Sequence, residues 1–233
     1  MAKIQTPRDA QQSRTIPVGR GVFLGVTGLT GLGLGLAGVG VNVGRILPNL
    51  SNLLPGQNIN GFTIYTITGG FPSMKAADYR LKINGLVNNP KTYTLNDLLA
   101  MPAIEETRYY QCVTGWVVPR PRWRGVRLWD LLQAAGIKSE AVALHFNCFD
   151  GAYTESLTLD QARQPDVLLA YSLDGKPLAV DQGYPLRLVV PGMYGYKFAK
   201  WVNEVTVTDT VIPGYWEQNG YDVNAYIGRS NGY

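Results

Sequence analysis

The feature that most constrains this chain is a run of 24 residues without a charge, Gly21 to Gly44 (GVFLGVTGLTGLGLGLAGVGVNVG). A helix that crosses a bilayer needs about 20 such residues, whereas the apolar stretch of a cleaved secretory signal spans about 7–15. The run therefore reads as a transmembrane anchor, with a long cleaved signal or a soluble Gly-rich arm as the alternatives. Gly21/Gly25, Gly31/Gly35 and Gly40/Gly44 share the small-xxx-small spacing that lets two membrane helices pack closely. Lys3, Arg8, Arg14 and Arg20 precede the run against Asp9 alone. The positive-inside rule places that flank in the cytoplasm and everything beyond Arg45 on the extracytoplasmic side of a bacterial membrane. The chain thus divides into a basic tail (1–20), an anchor or signal (21–45), a Pro- and Asn-bearing linker (46–64) and a folded domain (65–233).

Removing the tail changes the meaning of the charge. The whole chain carries +4, but beyond residue 20 there are 17 basic and 16 acidic residues. A nucleic-acid-binding domain would carry a basic stripe on its folded part, and none is visible. Two cysteines and one histidine, with no CxxC, HExxH or CxxCH, exclude zinc ribbons, zincins and attached c-type haem. A Ser-His-Asp hydrolase would have to use His145, and no GxSxG accompanies it.

The domain reads as α+β. Tyr79–Asn84 alternates like a half-buried strand. Thr94 caps a short helix in TLNDLLAMP that Pro102 ends. Thr107–Cys112 reads as extended. Leu128–Ala135 is an apolar helix stopped by Gly136. Ala141–Phe146, Val167–Ser172, Leu186–Val190 and Trp201–Thr208 read as strands, Leu159–Arg163 as a short helix, and Asp174-Gly175 as a turn. There is no regular βα alternation, no repeat and no GxGxxG fingerprint.

Three constellations carry chemistry. Cys112, in YYQCVTGW, ends an extended run before a Gly-containing turn; its thiolate could bind a soft metal, attack a carbonyl, or simply pack. Arg187 leads a buried strand in DQGYPLRLVVPG. The stretch PGMYGYKFAKW is a Gly-rich turn bearing Lys197 and Lys200, a composition suited to cradling a phosphate and equally compatible with a solvated surface turn. Arg120, Arg122 and Arg124 follow closely and could attract an anion.

Taken in order, these motifs resemble one family. Cys112-Val-Thr-Gly-Trp, Trp123-x-Gly-Val-x-Leu-x-Asp-Leu-Leu, Asp150-Gly-x-Tyr-Thr, Leu168-Leu-Ala-Tyr and Gly183-x-Pro-Leu-Arg-Leu-Val-Val-Pro-Gly-Met-Tyr-Gly-Tyr-Lys are similar to the molybdopterin domain of sulfite-oxidase-like proteins. The closest resemblance is to the bacterial single-domain members related to the periplasmic protein-methionine-sulfoxide reductase catalytic subunit. The resemblance spans roughly Tyr65 to Tyr221. It implies a mixed-sheet domain behind the N-terminal membrane helix, a Mo-molybdopterin cofactor, and Cys112 as the protein ligand to molybdenum.

By the same resemblance Gln182, Arg187, Phe198, Ala199 and Lys200 match positions that contact the pterin. Cys148 falls where the reductase relatives have a contacting threonine, Tyr65 precedes the first strand near the cofactor, and His145 and Lys197 are further candidates for the pterin and its phosphate. Relatives often carry histidine where Gln182 stands, and a glutamine hydrogen-bonds there without taking a charge. The Asn-Arg-Arg run that follows the cysteine in the animal enzymes is missing, which turns the expectation away from sulfite. The implied activity is two-electron oxygen-atom transfer on a small oxyanion or sulfoxide-type substrate. With no second redox centre legible, electrons would pass through a membrane partner, a b-type cytochrome as in the reductase relatives. The rival reading is a silent, membrane-tethered binding domain in which Cys112 and Cys148 form a structural disulfide.

Overall fold

The structure is a computed structural model and describes residues 56–59 and 61–230. The run at 21–44 lies outside them. None of the helices among the described residues is long and apolar enough to cross a membrane.

Two five-stranded sheets form the body. The strands of the first are β3 (Arg80–Gly85), β4 (Lys91–Thr94), β9 (Ala143–Cys148), β10 (Thr154–Thr158) and β14 (Val202–Thr208). They pair in the order β10-β9-β14-β3-β4. β14 runs parallel to β3 and antiparallel to β9, so the sheet is mixed. The second sheet uses β5 (Ala103–Glu106), β8 (Trp123–Arg127), β11 (Leu168–Leu173), β12 (Lys176–Pro177) and β13 (Arg187–Val189). Its order is β12-β11-β8-β5, with β13 also paired to β11. Two small hairpins complete the set. One joins β1 (Gly56–Ile59) to β2 (Phe62–Ile64), and the other joins β6 (Tyr110–Gln111) to β7 (Val117–Val118). The expected mixed α+β architecture is present.

The helices among the described residues are short and locally specified. α1 (Leu95–Ala100) starts at Thr94, whose hydroxyl accepts from the Asp97 N–H while the Asp97 carboxylate accepts from the Thr94 N–H. This reciprocal capping satisfies donors that a helix start leaves open. α2 (Leu128–Ala135) buries Leu128, Leu131, Leu132 and Ala135, one face at helical spacing, and ends where Gly136 takes φ +71°. α3 (Leu159–Ala162) and α4 (Tyr215–Gln218) are single turns.

The linker expected at 46–64 ends early. Gly56–Ile59 and Phe62–Ile64 are paired strands, and Phe62 and Ile64 are buried against the core. Phe62 packs edge-on against Tyr110, Trp116 and Trp123, so this hairpin belongs to the domain that it precedes. The extended run expected at Thr107–Cys112 shrinks to Tyr110–Gln111.

Candidate functional site

The site is assembled where the β6–β7 hairpin meets the turn after β13. The hairpin closes on Cys112, whose N–H donates to the Trp116 carbonyl at 2.9 Å while its own carbonyl accepts from Gly115 at 3.0 Å. Gly115 takes φ +103°, a conformation glycine tolerates best. A parallel bridge from Gln111 to Tyr194 sets this hairpin beside the stretch 193–200. There Gly195–Lys197 forms a 3-10 turn. A Cβ on Gly195 would lie 2.0 Å from the Tyr110 hydroxyl, so only glycine lets Tyr110 close over the turn.

Cys112 is half-buried and free, and so is the buried Cys148. The disulfide reading is thereby corrected: the two thiols are not joined. Burial pushes the Cys112 thiol up, and donors oppose this: the Thr114 hydroxyl at 3.2 Å, the N–H groups of Thr114 and Val113, and the nearby Trp116 indole. These donors favour the thiolate a metal would need. Partial burial, reinforced by Cys112, raises the Tyr65 phenol, which sits at the rim and is 40% exposed.

The floor is cationic and buried. Arg187 is 3% exposed. Its Nη1 donates to the Gln182 carbonyl and to Gln182 Oε1, each at 3.0 Å, and its Nη2 to the Phe198 carbonyl at 3.1 Å. The guanidinium lies 4.7 Å from the Trp123 ring centre, and burial lowers its pKa to about 10. Lys200 Nζ donates to the carbonyls of Tyr65 (2.7 Å) and Asp181 (3.2 Å) and sits 4.3 Å from the Trp201 ring centre. Burial, and then the Arg187 charge, lower Lys200 to about 7. Gly183, at φ +104°, lets these two side chains converge; a Cβ there would come within 3.0 Å of Lys200 Cβ and 3.1 Å of Arg187 Cβ.

Two buried donors here meet no protein acceptor: Gln182 Nε2 and Arg187 Nε. Buried polar groups rarely stay unpaired. Orphaned donors beside a half-buried thiol are what a ligand rich in oxygen and ring nitrogen would satisfy, so the residues present fit a phosphorylated pterin.

The structure thus brings together Tyr65, Cys112, Gln182, Arg187, Phe198 and Lys200, and places the buried Ala199 between the last two. Cys148 faces this side at the end of β9, its thiol pushed well up by burial, then by Asp150. His145 does not join them. The alternation of β9 sends Phe146 and Cys148 to one face and His145 with Asn147 to the other, and His145 Nδ1 lies 3.4 Å from the Ile212 carbonyl. Lys197 is not available to a phosphate either: it is fully buried and ion-paired to Glu155 and Glu217. Of the three arginines after the cysteine, Arg124 pairs with Glu105 at 3.2 Å on an exposed surface. Sequence reasoning missed Tyr110, which contacts the site only through the hairpin's fold. It also missed the indole of Trp116, although Trp116 lay inside the quoted motif.

Comparison with known proteins agrees with this geometry. The sequence profile of the oxidoreductase molybdopterin binding domain matches residues 68–216. The uncharacterized oxidoreductase YuiH of Bacillus subtilis is 36% identical over 168 residues, 72% of this chain and 84% of that protein. The protein-methionine-sulfoxide reductase catalytic subunit MsrP of Ralstonia nicotianae is 32% identical, over 62% of this chain and 48% of its own length. Among solved structures, the sulfane dehydrogenase SoxCD of Paracoccus pantotrophus superposes with a TM-score of 0.57 at 29% identity, covering 64% of this chain and 45% of that one. The chain therefore spans most of the Bacillus protein but about half of the other two. The fold and site define a sulfite-oxidase-type molybdopterin-binding domain. The chain belongs to the oxidoreductase molybdopterin-binding family; it is a molybdopterin-dependent oxidoreductase with Mo-molybdopterin as its cofactor.

Proposed function

We propose that this protein catalyses two-electron oxygen-atom transfer on a small oxyanion or sulfoxide-type substrate. The observation that carries the reading is the half-buried, free Cys112 thiol facing orphaned buried donors on a cationic floor. When bound, the cofactor supplies a molybdenum centre that exchanges two electrons and an oxygen atom with substrate. The protein's own work is attachment, orientation and exclusion of water. Cys112 would supply the thiolate ligand, with the Thr114 hydroxyl and backbone N–H groups steadying its charge. Gln182 Nε2 and Arg187 Nε would donate to the pterin, and Lys200 would meet its phosphate. Phe198 and Ala199, both buried, would form the wall.

Around Cys112 stand neutral donors, the Thr114 hydroxyl, the indole of Trp116 and the phenol of Tyr65, while Arg124 is engaged at the surface. A neutral, dipolar oxygen suits such donors better than a multiply charged oxyanion does. This supports the sulfoxide-type branch, as does the similarity to a methionine-sulfoxide reductase subunit. The uncharged run at 21–44 supports a domain held at the outer face of a membrane and served by a membrane electron carrier such as a b-type cytochrome.

The test is turnover with a reduced artificial dye against a panel of sulfoxides, N-oxides and oxyanions. Dye oxidation dependent on a sulfoxide and lost in Cys112→Ser is the expected result. Turnover of no oxide at all by molybdenum-loaded protein, or turnover indifferent to the substitution, contradicts the reading.

A further inference from the structure

Behind the site lies a charged cluster that the cofactor chemistry does not use. Lys197, in the 3-10 turn, is fully buried, and its ammonium donates to Glu155 Oε1 at 2.6 Å and to Glu217 Oε1. Glu155 comes from β10 and Glu217 from α4, and each side chain is 1% exposed. Glu217 Oε2 accepts from the Ser156 hydroxyl at 2.7 Å and from the Gly214 N–H at 2.5 Å. Glu155 Oε1 accepts the Ser156 N–H at 2.7 Å. No other cation among the described residues is ion-paired to these carboxylates.

Two carboxylates against one ammonium leave an uncompensated negative charge in the interior. Proteins neutralise such a charge by holding a proton. The donors decide where it sits. Three of them converge on both oxygens of Glu217, which marks it as the anion. The donors to Glu155 meet it through one oxygen.

We propose that Glu155, Lys197 and Glu217 form a one-proton site, neutral at physiological pH with the proton on Glu155, that holds the cofactor-facing turn in place. Every residue of that turn is held by a neighbour, Lys197 by the cluster itself. Tyr110 closes over Gly195, the Tyr153 hydroxyl donates to the Tyr196 carbonyl, Lys197 belongs to the cluster, and the Phe198 carbonyl accepts from Arg187. Glu155 is a positioning residue that acts through Lys197. The titratable and charged groups around it are Lys197 on the turn, Glu217 on α4 and Tyr153 before β10, with Cys148 and Tyr110 beyond Tyr153. Burial, opposed by Lys197 and reinforced by Glu217, raises Glu155 to about 8.

The sign of the linkage follows. A carboxyl whose pKa is raised on folding binds more protons folded than unfolded. Its contribution to stability is full below about pH 4.5 and is lost as pH rises toward about 8. Lys200 titrates near 7 and above, so the clean window is about pH 5 to 6.5.

Thermal unfolding of the molybdenum-loaded protein across that window, with infrared detection of protonated carboxyl groups, tests the proposal. Wild type is expected to show a buried protonated-carboxyl band at neutral pH that Glu155→Gln removes. Glu155→Gln, which mimics the neutral acid, should fold, keep its molybdenum and lose the part of the pH slope due to this group. Glu217→Gln should be the destabilised variant, because it removes the anion that three donors require. A wild type without the band, equal pH slopes in wild type and Glu155→Gln, or a tolerated Glu217→Gln beside a crippled Glu155→Gln would each overturn the proposal.

Discussion

At the scale of single residues the site divides sharply between what chemistry makes visible and what only folding brings together. Cys112, Arg187 and Lys200 are reactive or charged residues set in Gly-rich motifs, so the sequence alone exposes them. Lys197 looks equally eligible there, because nothing local shows that residues 42 and 20 positions away would bury two carboxylates against it. Lys200 gives a first prediction. Its ammonium loses its proton near pH 7 in the protein without ligand, and an anionic phosphate would pull the charged form back. Cofactor loading of apoprotein should therefore weaken as pH rises through about 7 to 9, and Lys200→Met should weaken loading and flatten that dependence. A titration with extracted cofactor reads this, and an unaltered pH profile in Lys200→Met would contradict it. Cys148 gives a second. It is buried and unpaired, and threonine is close to it in size. Cys148→Thr should keep its molybdenum and lose no more stability than one buried hydroxyl costs, about 1–3 kcal/mol. Loss of metal equal to that of Cys112→Ser would mean that both sulfurs hold the centre.

At the scale of elements, legibility follows locality. α1 and α2 are readable because caps and helical spacing lie within one turn of chain: Thr94 with Asp97, and Leu128 to Ala135 with Gly136. β8 is harder to read, since WRGVR alternates charge with a glycine. That glycine is explained only by its neighbour strand: a Cβ on Gly125 would lie 2.0 Å from the Leu169 carbonyl. β1 and β2 hide in a segment whose Asn and Pro content suggests a loop. The cofactor-facing turn yields the prediction at this scale. Gly195→Ala forces a methyl into the space of the Tyr110 hydroxyl and ring. It should cost about 1–3 kcal/mol by overpacking, and it should lower cofactor retention because the turn carries the Phe198 carbonyl that orients Arg187. Denaturant unfolding and molybdenum content check this; an unchanged midpoint would show that Tyr110 moves aside freely.

At the scale of the whole molecule, the mixed sheet and the antiparallel sheet bring three sequence-distant segments to one place: the hairpin at 110–118, the stretch 180–187 and the turn at 193–200. The order of motifs along the chain resembled the family because the fold needs all of these segments together, whereas the 3-10 turn and Tyr110 meet only in three dimensions. The uncharged run at 21–44 carries the prediction for the intact protein. Carbonate-washed membranes should retain it, with the domain open to protease in spheroplasts. The isolated chain should turn over with an artificial dye and fail with a quinone. Recovery of a shortened soluble form, or efficient quinone-linked turnover by the isolated chain, would count against the tether and the partner respectively. In the proposed arrangement Cys112 anchors a molybdenum–pterin centre on the floor formed by Gln182, Arg187 and Lys200. Metal analysis with cofactor extraction on purified wild type and Cys112→Ser tests it most directly. Wild type should carry molybdenum and an extractable pterin, and the variant should lose the molybdenum. Wild type without molybdenum, or a variant that keeps as much metal as wild type, would contradict it.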